Sequence, residues 1–253
     1  MNVSGKMSDS KKILVAFDFD HTVVDGNTDI KITELCPGGK VPKELKKNYK
    51  STGWTPYMGA IFKFLYDNNI REKEMIETIQ AIPLTEGMGE LMAALKDEKY
   101  EVIVISDSNS VFIDCSMEKW QLKDVVSAVY TNPAEYDEAG LLHIKFYHTQ
   151  DWCDLSTENL CKGHILEEHI KNAGHEFSHV LYVGDGNNDL CPSLRLSEKD
   201  YVFPRKDYTL WKRINKIGDY ENEGDEHVVK AKVVEWTSGL EILKVIQNLQ
   251  QGE

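Results

Sequence analysis

The chain is short of positive charge, of paired cysteines and of long apolar runs, and each shortage excludes something. Its 29 basic residues face 42 acidic ones, a net charge of −13. A surface so acidic repels nucleic acid and anionic membranes, so neither is expected as a partner. No stretch approaches the ~18 consecutive apolar residues of a membrane span. Five cysteines, Cys36, Cys115, Cys153, Cys161 and Cys191, are odd in number and widely scattered. That usage suits a reduced cytoplasmic protein better than a disulfide scaffold. Residues 1–11 are polar, lack the apolar segment of a secretory signal, and read as a disordered leader. There are no internal repeats and no low-complexity tract, and only Glu221–Glu226 resembles solvated filler.

What is present is core material, with 41% hydrophobic residues in a chain of 253. Five apolar runs stand out: Ile13–Phe17, Val102–Ser106, Val125–Tyr130, Val180–Gly184 and Tyr201–Phe203. Helical patterns lie between or after them at Gly87–Lys96, Val111–Trp120, Lys162–Lys171, Leu190–Leu196 and Gly239–Leu249. Short continuous apolar strands alternating with helices predict an α/β fold, a doubly wound parallel sheet covered on both faces. Residues 26–83 break the alternation. They hold no convincing strand, whereas Met58, Ile61, Phe62 and Leu65, and again Met75, Ile76 and Ile79, recur at helical spacing. The expected organisation is therefore a core of residues 12–25 and 84–253 with a small helical cap, 26–83, inserted after the first strand. An insert there would overhang the carboxyl edge of the sheet, where open α/β folds bind ligands.

The first strand ends in Asp18-Phe-Asp20. Carboxylates at the end of a buried strand are costly unless they hold a metal or do chemistry. Three further signals sit at strand ends or helix starts: Ser106 in Ile-Ser-Asp-Ser-Asn, Lys162 in Asn-Leu-Cys-Lys, and Gly184-Asp185-Gly-Asn-Asn188-Asp189. Taken singly each has a plainer reading: turn acids, a helix cap, a solvated lysine. Gly184-x-Gly-x-x-Asp189 is a poor dinucleotide fingerprint, because its third glycine is replaced and it lies late in the chain.

Together and in this order, Asp18-x-Asp20-x-Thr22-Val, Ser106, Lys162 and Gly-Asp185-Gly-x-Asn-Asp189 resemble the haloacid dehalogenase superfamily of phosphatases. The likeness runs from about Lys12 to Leu249 and is nearest the phosphoethanolamine/phosphocholine and pyridoxal phosphate phosphatase family. It implies hydrolysis of a small phosphomonoester, with Asp18 as nucleophile and Asp20 as general acid and base. It implies Mg²⁺ held by the Asp18 carboxylate, the Asp20 backbone carbonyl and Asp185. Ser106 and Lys162 would bind the phosphate. Thr22, Asn188 and Asp189 would support from behind, the last two orienting Lys162 or the metal's waters. Asp29 and Asp107 would line the substrate pocket and favour a cationic head group, their plainer role being helix N-caps. His21 departs from the Glu or Asn expected at its position. His143, His148, Cys153 and Cys161 are too irregular for a zinc motif, so structural thiols are expected there.

Two other readings compete. A phosphoserine phosphatase-like enzyme would need an Arg for the substrate carboxylate, and residues 26–83 contain only Arg71. A non-catalytic phospho-ligand-binding protein on the same fold would be expected to have lost a motif residue, and none is missing. A phospho-aspartate receiver would be about half this length and lack both Asp20 and the insert.

Overall fold

The computed structural model describes residues 11–221 and 227–251. Most of the leader and of the acidic loop named above lies outside the described residues. In chain order the elements are β1 (Lys12–Phe17), α1 (Thr28–Ile32), α2 (Lys43–Thr52), α3 (Trp54–Asp67), α4 (Glu72–Gln80), α5 (Met88–Ala94), β2 (Tyr100–Asn109) and α6 (Ser110–Lys119). There follow β3 (Val126–Asn132), β4 (Ala134–Tyr136), β5 (Leu142–Ile144), α7 (Lys162–Asn172), β6 (Phe177–Gly184), α8 (Leu190–Arg195), β7 (Tyr201–Pro204), α9 (Thr209–Ile214), β8 (Lys232–Val233) and α10 (Gly239–Gln251).

Six strands form one sheet in the order β3-β2-β1-β6-β7-β8, all neighbours parallel. The alternation of side chains along β1 shows why its apolar run is unbroken. Ile13, Val15 and Phe17 enter one core, while Leu14 and Ala16 enter the core on the opposite face. Both faces are covered, so neither set can be polar. The chain lays down β1, β2 and β3 in one direction, then returns to place β6 on the free side of β1. The reversal opens a crevice at the carboxyl ends of β1 and β6, the usual ligand position in such sheets.

Residues 28–80 hold four helices and no strand. Their apolar face is not a core of its own. Met58, Ile61, Phe62, Leu65, Met75 and Ile79 are at most 3% exposed and belong to the same cluster as Phe17, Val104 and Phe112. Phe62 of α3 meets Phe112 of α6 edge-on at 5.6 Å.

The elements differ from the sequence expectation in three ways. β2 runs on to Asn109, so Ser106, Asp107 and Ser108 are all strand residues at the sheet's carboxyl edge. The Val125 run forms a strand at the edge of the sheet, with Val129 exposed rather than buried. The short pieces α1, α9, β8 and the antiparallel pair β4-β5 carry too few residues to show a period.

Candidate active site

The motif residues converge at the crevice. Asp18 follows β1, its backbone N–H donating to Val183 O at 2.9 Å. Lys162 opens α7 and is wholly buried, its Nζ lying 2.8 Å from Asp18 Oδ1 and 2.7 Å from Asp189 Oδ1. Burial opposes the ammonium charge, but Asp18 and Asp189 more than offset it, so the lysine holds its proton more firmly than usual.

Asp189 is saturated. Its Oδ1 also accepts from Tyr182 OH at 2.6 Å, and its Oδ2 accepts the N–H groups of Asp185 and Gly186 at 3.0 and 2.8 Å. It therefore fixes both the lysine and the turn that carries Asp185. The missing side chain at Gly184 permits this, since a Cβ there would stand 2.6 Å from the Asp189 carboxylate.

Asp18, Asp20, Asp29, Ser106, Asp107, Asp185 and Asn188 all line one cavity of about 150 Å³, with His21, Asn27, Trp54, Ser108 and Gly186. Five of these are carboxylic acids, and none is Lys or Arg. Asp185 is 8% exposed, and its partner is Thr22, whose hydroxyl donates at a long 3.5 Å. Burial and then the neighbouring Asp18 and Asp189 push the Asp185 carboxyl up to about 9. Burial, with Asp189, likewise raises Asp18 to about 7 despite Lys162.

Single carboxylate oxygens of Asp18, Asp185 and Asp189 lie within 4.8 Å of one another. Because Asp189 is already filled by four donors, Asp18 and Asp185 are the pair with oxygens to spare. Hard, underpartnered carboxylate oxygens crowded at one cavity fit a divalent cation such as Mg²⁺.

Asp20 points the other way. Both of its oxygens accept from Thr28, one from the backbone N–H and one from the hydroxyl, each at 3.0 Å. Thr28 Oγ1 in turn lies 2.7 Å from Ser108 Oγ. Burial, then Asp29, then Asp18 raise the Asp20 carboxyl well above the ordinary range, so it holds a proton readily.

The N-cap readings of Asp29 and Asp107 are corrected by the structure. Asn27 caps α1, accepting from Ile30 N at 2.9 Å, and Asn109 caps α6, accepting from Phe112 N at 3.1 Å. Asp107 accepts instead from the side-chain amides of Asn159 and Asn188, at 3.0 and 2.6 Å. Asn188 is thus turned to Asp107. Asp29 is 3% exposed; Trp54 Nε1 donates to its Oδ2 at 2.6 Å, while its Oδ1 has no partner. Burial raises its carboxyl to about 7, the Trp54 hydrogen bond pulling the other way.

Ser106 is buried at the cavity wall, where its Oγ accepts from Ser108 N at 3.2 Å. His21 adopts a left-handed backbone, φ 55°, where its carbonyl accepts from Arg205. Arg205 also pairs with Asp25 at 2.8 Å, tying the loop after β1 to the end of β7. Arg71 bonds the carbonyls of Tyr66 and Ile70 and is not among the cavity's lining residues. Thr28, Trp54 and Ser108 were not singled out in the sequence. Thr28 adjoins Asp29 and Ser108 lies in the Ile-Ser-Asp-Ser-Asn motif, whereas nothing local marks Trp54.

Comparisons with known proteins place the chain in a family. Residues 13–250 match the family described as "Putative Phosphatase". A pyridoxal phosphate phosphatase of Bos taurus is 40% identical over 243 residues, 94% of this chain and 98% of that one. The human phosphoethanolamine/phosphocholine phosphatase is 30% identical, with 94% of this chain and 89% of that one covered. A solved phosphoserine phosphatase, an analogue of its phospho-aspartyl intermediate, superimposes with a TM-score of 0.62. It is 22% identical and covers 93% of this chain and 99% of its own, a likeness of fold. The chain therefore belongs to this phosphatase family, on a haloacid dehalogenase-like fold.

Proposed function

We propose that the chain is a Mg²⁺-dependent phosphatase that hydrolyses a small phosphomonoester bearing a cationic nitrogen, through an aspartyl-phosphate on Asp18. The observation that carries this reading is the Asp18 carboxylate, braced by a buried Lys162 and sharing one cavity with Asp20 and Asp185. In the first step an Asp18 oxygen attacks phosphorus, the ester P–O bond breaks, and Asp20 gives its proton to the leaving alkoxide. In the second, Asp20 as carboxylate takes a proton from water as that water attacks phosphorus, releasing phosphate and restoring Asp18. The Thr28 contacts fix the orientation of the Asp20 carboxyl for that exchange.

Asp18, the Asp20 backbone carbonyl and Asp185 would hold Mg²⁺, which supplies positive charge against the phosphate oxygens when bound. Ser106 at the cavity wall would bind the phosphate, with Lys162 supplying positive charge from behind Asp18. Residues 26–83 act as a cap that closes the cavity from above, Trp54 being its lining residue from α3. The cavity is below the roughly 300–1,000 Å³ of drug-sized pockets, which favours a compact substrate. Asp29, with one buried oxygen lacking a partner, suits an ammonium or a ring nitrogen cation. Phosphoethanolamine, phosphocholine and pyridoxal 5'-phosphate all meet that description, and the relatives named above carry those names. The placement of Arg71 away from the cavity weighs against phosphoserine.

The test is phosphate release with Mg²⁺ over these three monoesters, phosphoserine and a neutral monoester. Activity on at least one nitrogen-bearing substrate, abolished in Asp18→Asn, is expected. No release from any of them, or full activity in Asp18→Asn, would refute the proposal.

A further inference from the structure

Behind the phosphate site lies a second cluster of possible ligands. The Sγ atoms of Cys153, Cys161 and Cys191 all lie within 4.8 Å of one another, and all three are free thiols. Cys191 Sγ is 3.5 Å from Cys153 Sγ and 3.8 Å from Cys161 Sγ. Thiolates at about 2.3 Å from one tetrahedral zinc stand about 3.8 Å apart, so the spacing is that of a metal-binding face. We infer that these three thiols form a site for a soft divalent metal, Zn²⁺ by chemistry, distinct from the oxygen-lined cavity.

The surroundings are built around the cluster. Gln150 is 5% exposed; its Oε1 accepts from Trp152 N and Cys153 N at 3.2 and 2.9 Å, and its Nε2 donates to three carbonyls of residues 153–157. That one amide fixes the loop so that Cys153 faces inward. Gly163 lets α7 approach Cys191, because a Cβ there would stand 2.6 Å from the Cys191 sulfur. Cys161 occupies the N-cap of α7, so the start of that helix fixes its place in the cluster. Arg195 lies beside the Cys191 sulfur and offsets the surplus negative charge of three thiolates on one dication. Binding releases the thiol protons to solvent, forms three metal–sulfur bonds and leaves a fourth position for water. Of the histidines weighed as ligands from the sequence, His148 is engaged at Nε2 by Cys161 N at 2.9 Å, and His143 by Asp137 at 2.9 Å. The third ligand is Cys191, which lies far from the others in sequence. Cys161 adjoins Lys162, and Cys191 follows Asp189 by two residues, so the metal would clip the loop to the elements that hold the phosphate site.

The experiment uses the full chain, reduced, stripped with chelator and given one equivalent of Co²⁺. A thiolate-to-cobalt charge-transfer band in the near ultraviolet is expected, displaced by Zn²⁺, and equally present in Asp18→Asn, since oxygen ligands give no such band. Zinc should also slow alkylation of Cys153, the partly exposed member of the cluster. Cys153→Ser is expected to lose the band while still releasing phosphate with Mg²⁺, which shows that the variant is folded. Absence of the band in the wild type, its persistence in Cys153→Ser, its loss in Asp18→Asn, or unchanged alkylation in zinc would each overturn the inference. The readouts are spectroscopic and chemical, so they stand apart from whether the chain is a phosphatase.

Discussion

Two buried aspartates, Asp29 in the wall of the cavity and Asp189 behind it, have opposite surroundings. On the sheet side, Asp189 accepts from Lys162, Tyr182 and two backbone N–H groups. On the side of residues 28–80, Asp29 accepts, among the described residues, from Trp54 alone and keeps one oxygen bare. A fully satisfied buried acid is a rigid part, and its energy is tied up in holding neighbours in place. A buried acid with an empty lone pair is costly in the free protein and gains only when something arrives. The comparison separates positioning from recognition, and it can be broken by mutation.

Asp189→Asn is expected to have the largest effect. An amide cannot accept from all four donors, and its NH₂ group must oppose Lys162 or the turn, leaving the buried ammonium half-paired. A loss of ~3–5 kcal/mol in stability is expected by denaturant titration, with kcat down ~10²–10⁴-fold and little selectivity between substrates. Asp29→Asn should act differently. It is expected to lower kcat/KM about 10–100-fold on nitrogen-bearing monoesters, corresponding to ~1.4–2.7 kcal/mol of lost binding, and to leave a neutral monoester nearly unchanged. Equal losses on every substrate would remove the recognition role from Asp29. Trp54→Phe takes away the one donor to the Asp29 carboxylate among the described residues and should cost about 1–3 kcal/mol in thermal or denaturant unfolding. A wild-type midpoint in that variant would mean that the 2.6 Å contact is energetically idle.

A further effect is expected on the pH profile of stability in chelator. The Asp29 carboxyl is raised from 3.8 to about 7 in the folded chain. Between those values the native state binds more protons than the unfolded one, so stability is greatest at the acid end of the window. It declines as pH rises through the folded value, by up to ~1.4 kcal/mol per pH unit for one group. Asp29→Asn should flatten that part of the decline; an unchanged slope from pH 4 to 7 would show that Asp29 ionises in the folded protein as it does in the unfolded one.

What the sequence revealed about these two acids follows from where each signal is stored. β1 and β6 were legible because strands buried on both faces must be apolar throughout, and Asp18 and Asp185 stand where those runs stop. Lys162 and Ser106 were legible from motif wording, not from any local period. Asp29 was noticed, but its two readings could be separated only by seeing Asn27 take the cap. Trp54 was invisible, because an aromatic at the start of an amphipathic helix looks like any core residue until its N–H is placed. The thiol cluster was half legible: Cys153 and Cys161 share a loop, whereas Cys191 joins them from α8 only through the winding of the sheet.

The continuity of the core beneath α3 and α4 limits how substrate and product can exchange. Met58, Phe62, Leu65 and Met75 are nearly inaccessible and share one cluster with the sheet. Exposing such side chains costs about 1.5–3 kcal/mol each. Swinging the helices away as a block would therefore cost on the order of 6 kcal/mol or more, a state populated by roughly one molecule in 10⁴ or fewer. Traffic through the cavity must instead use small displacements of the loop pinned by Arg205 and of the first turn of α3, so turnover and global opening are separate clocks.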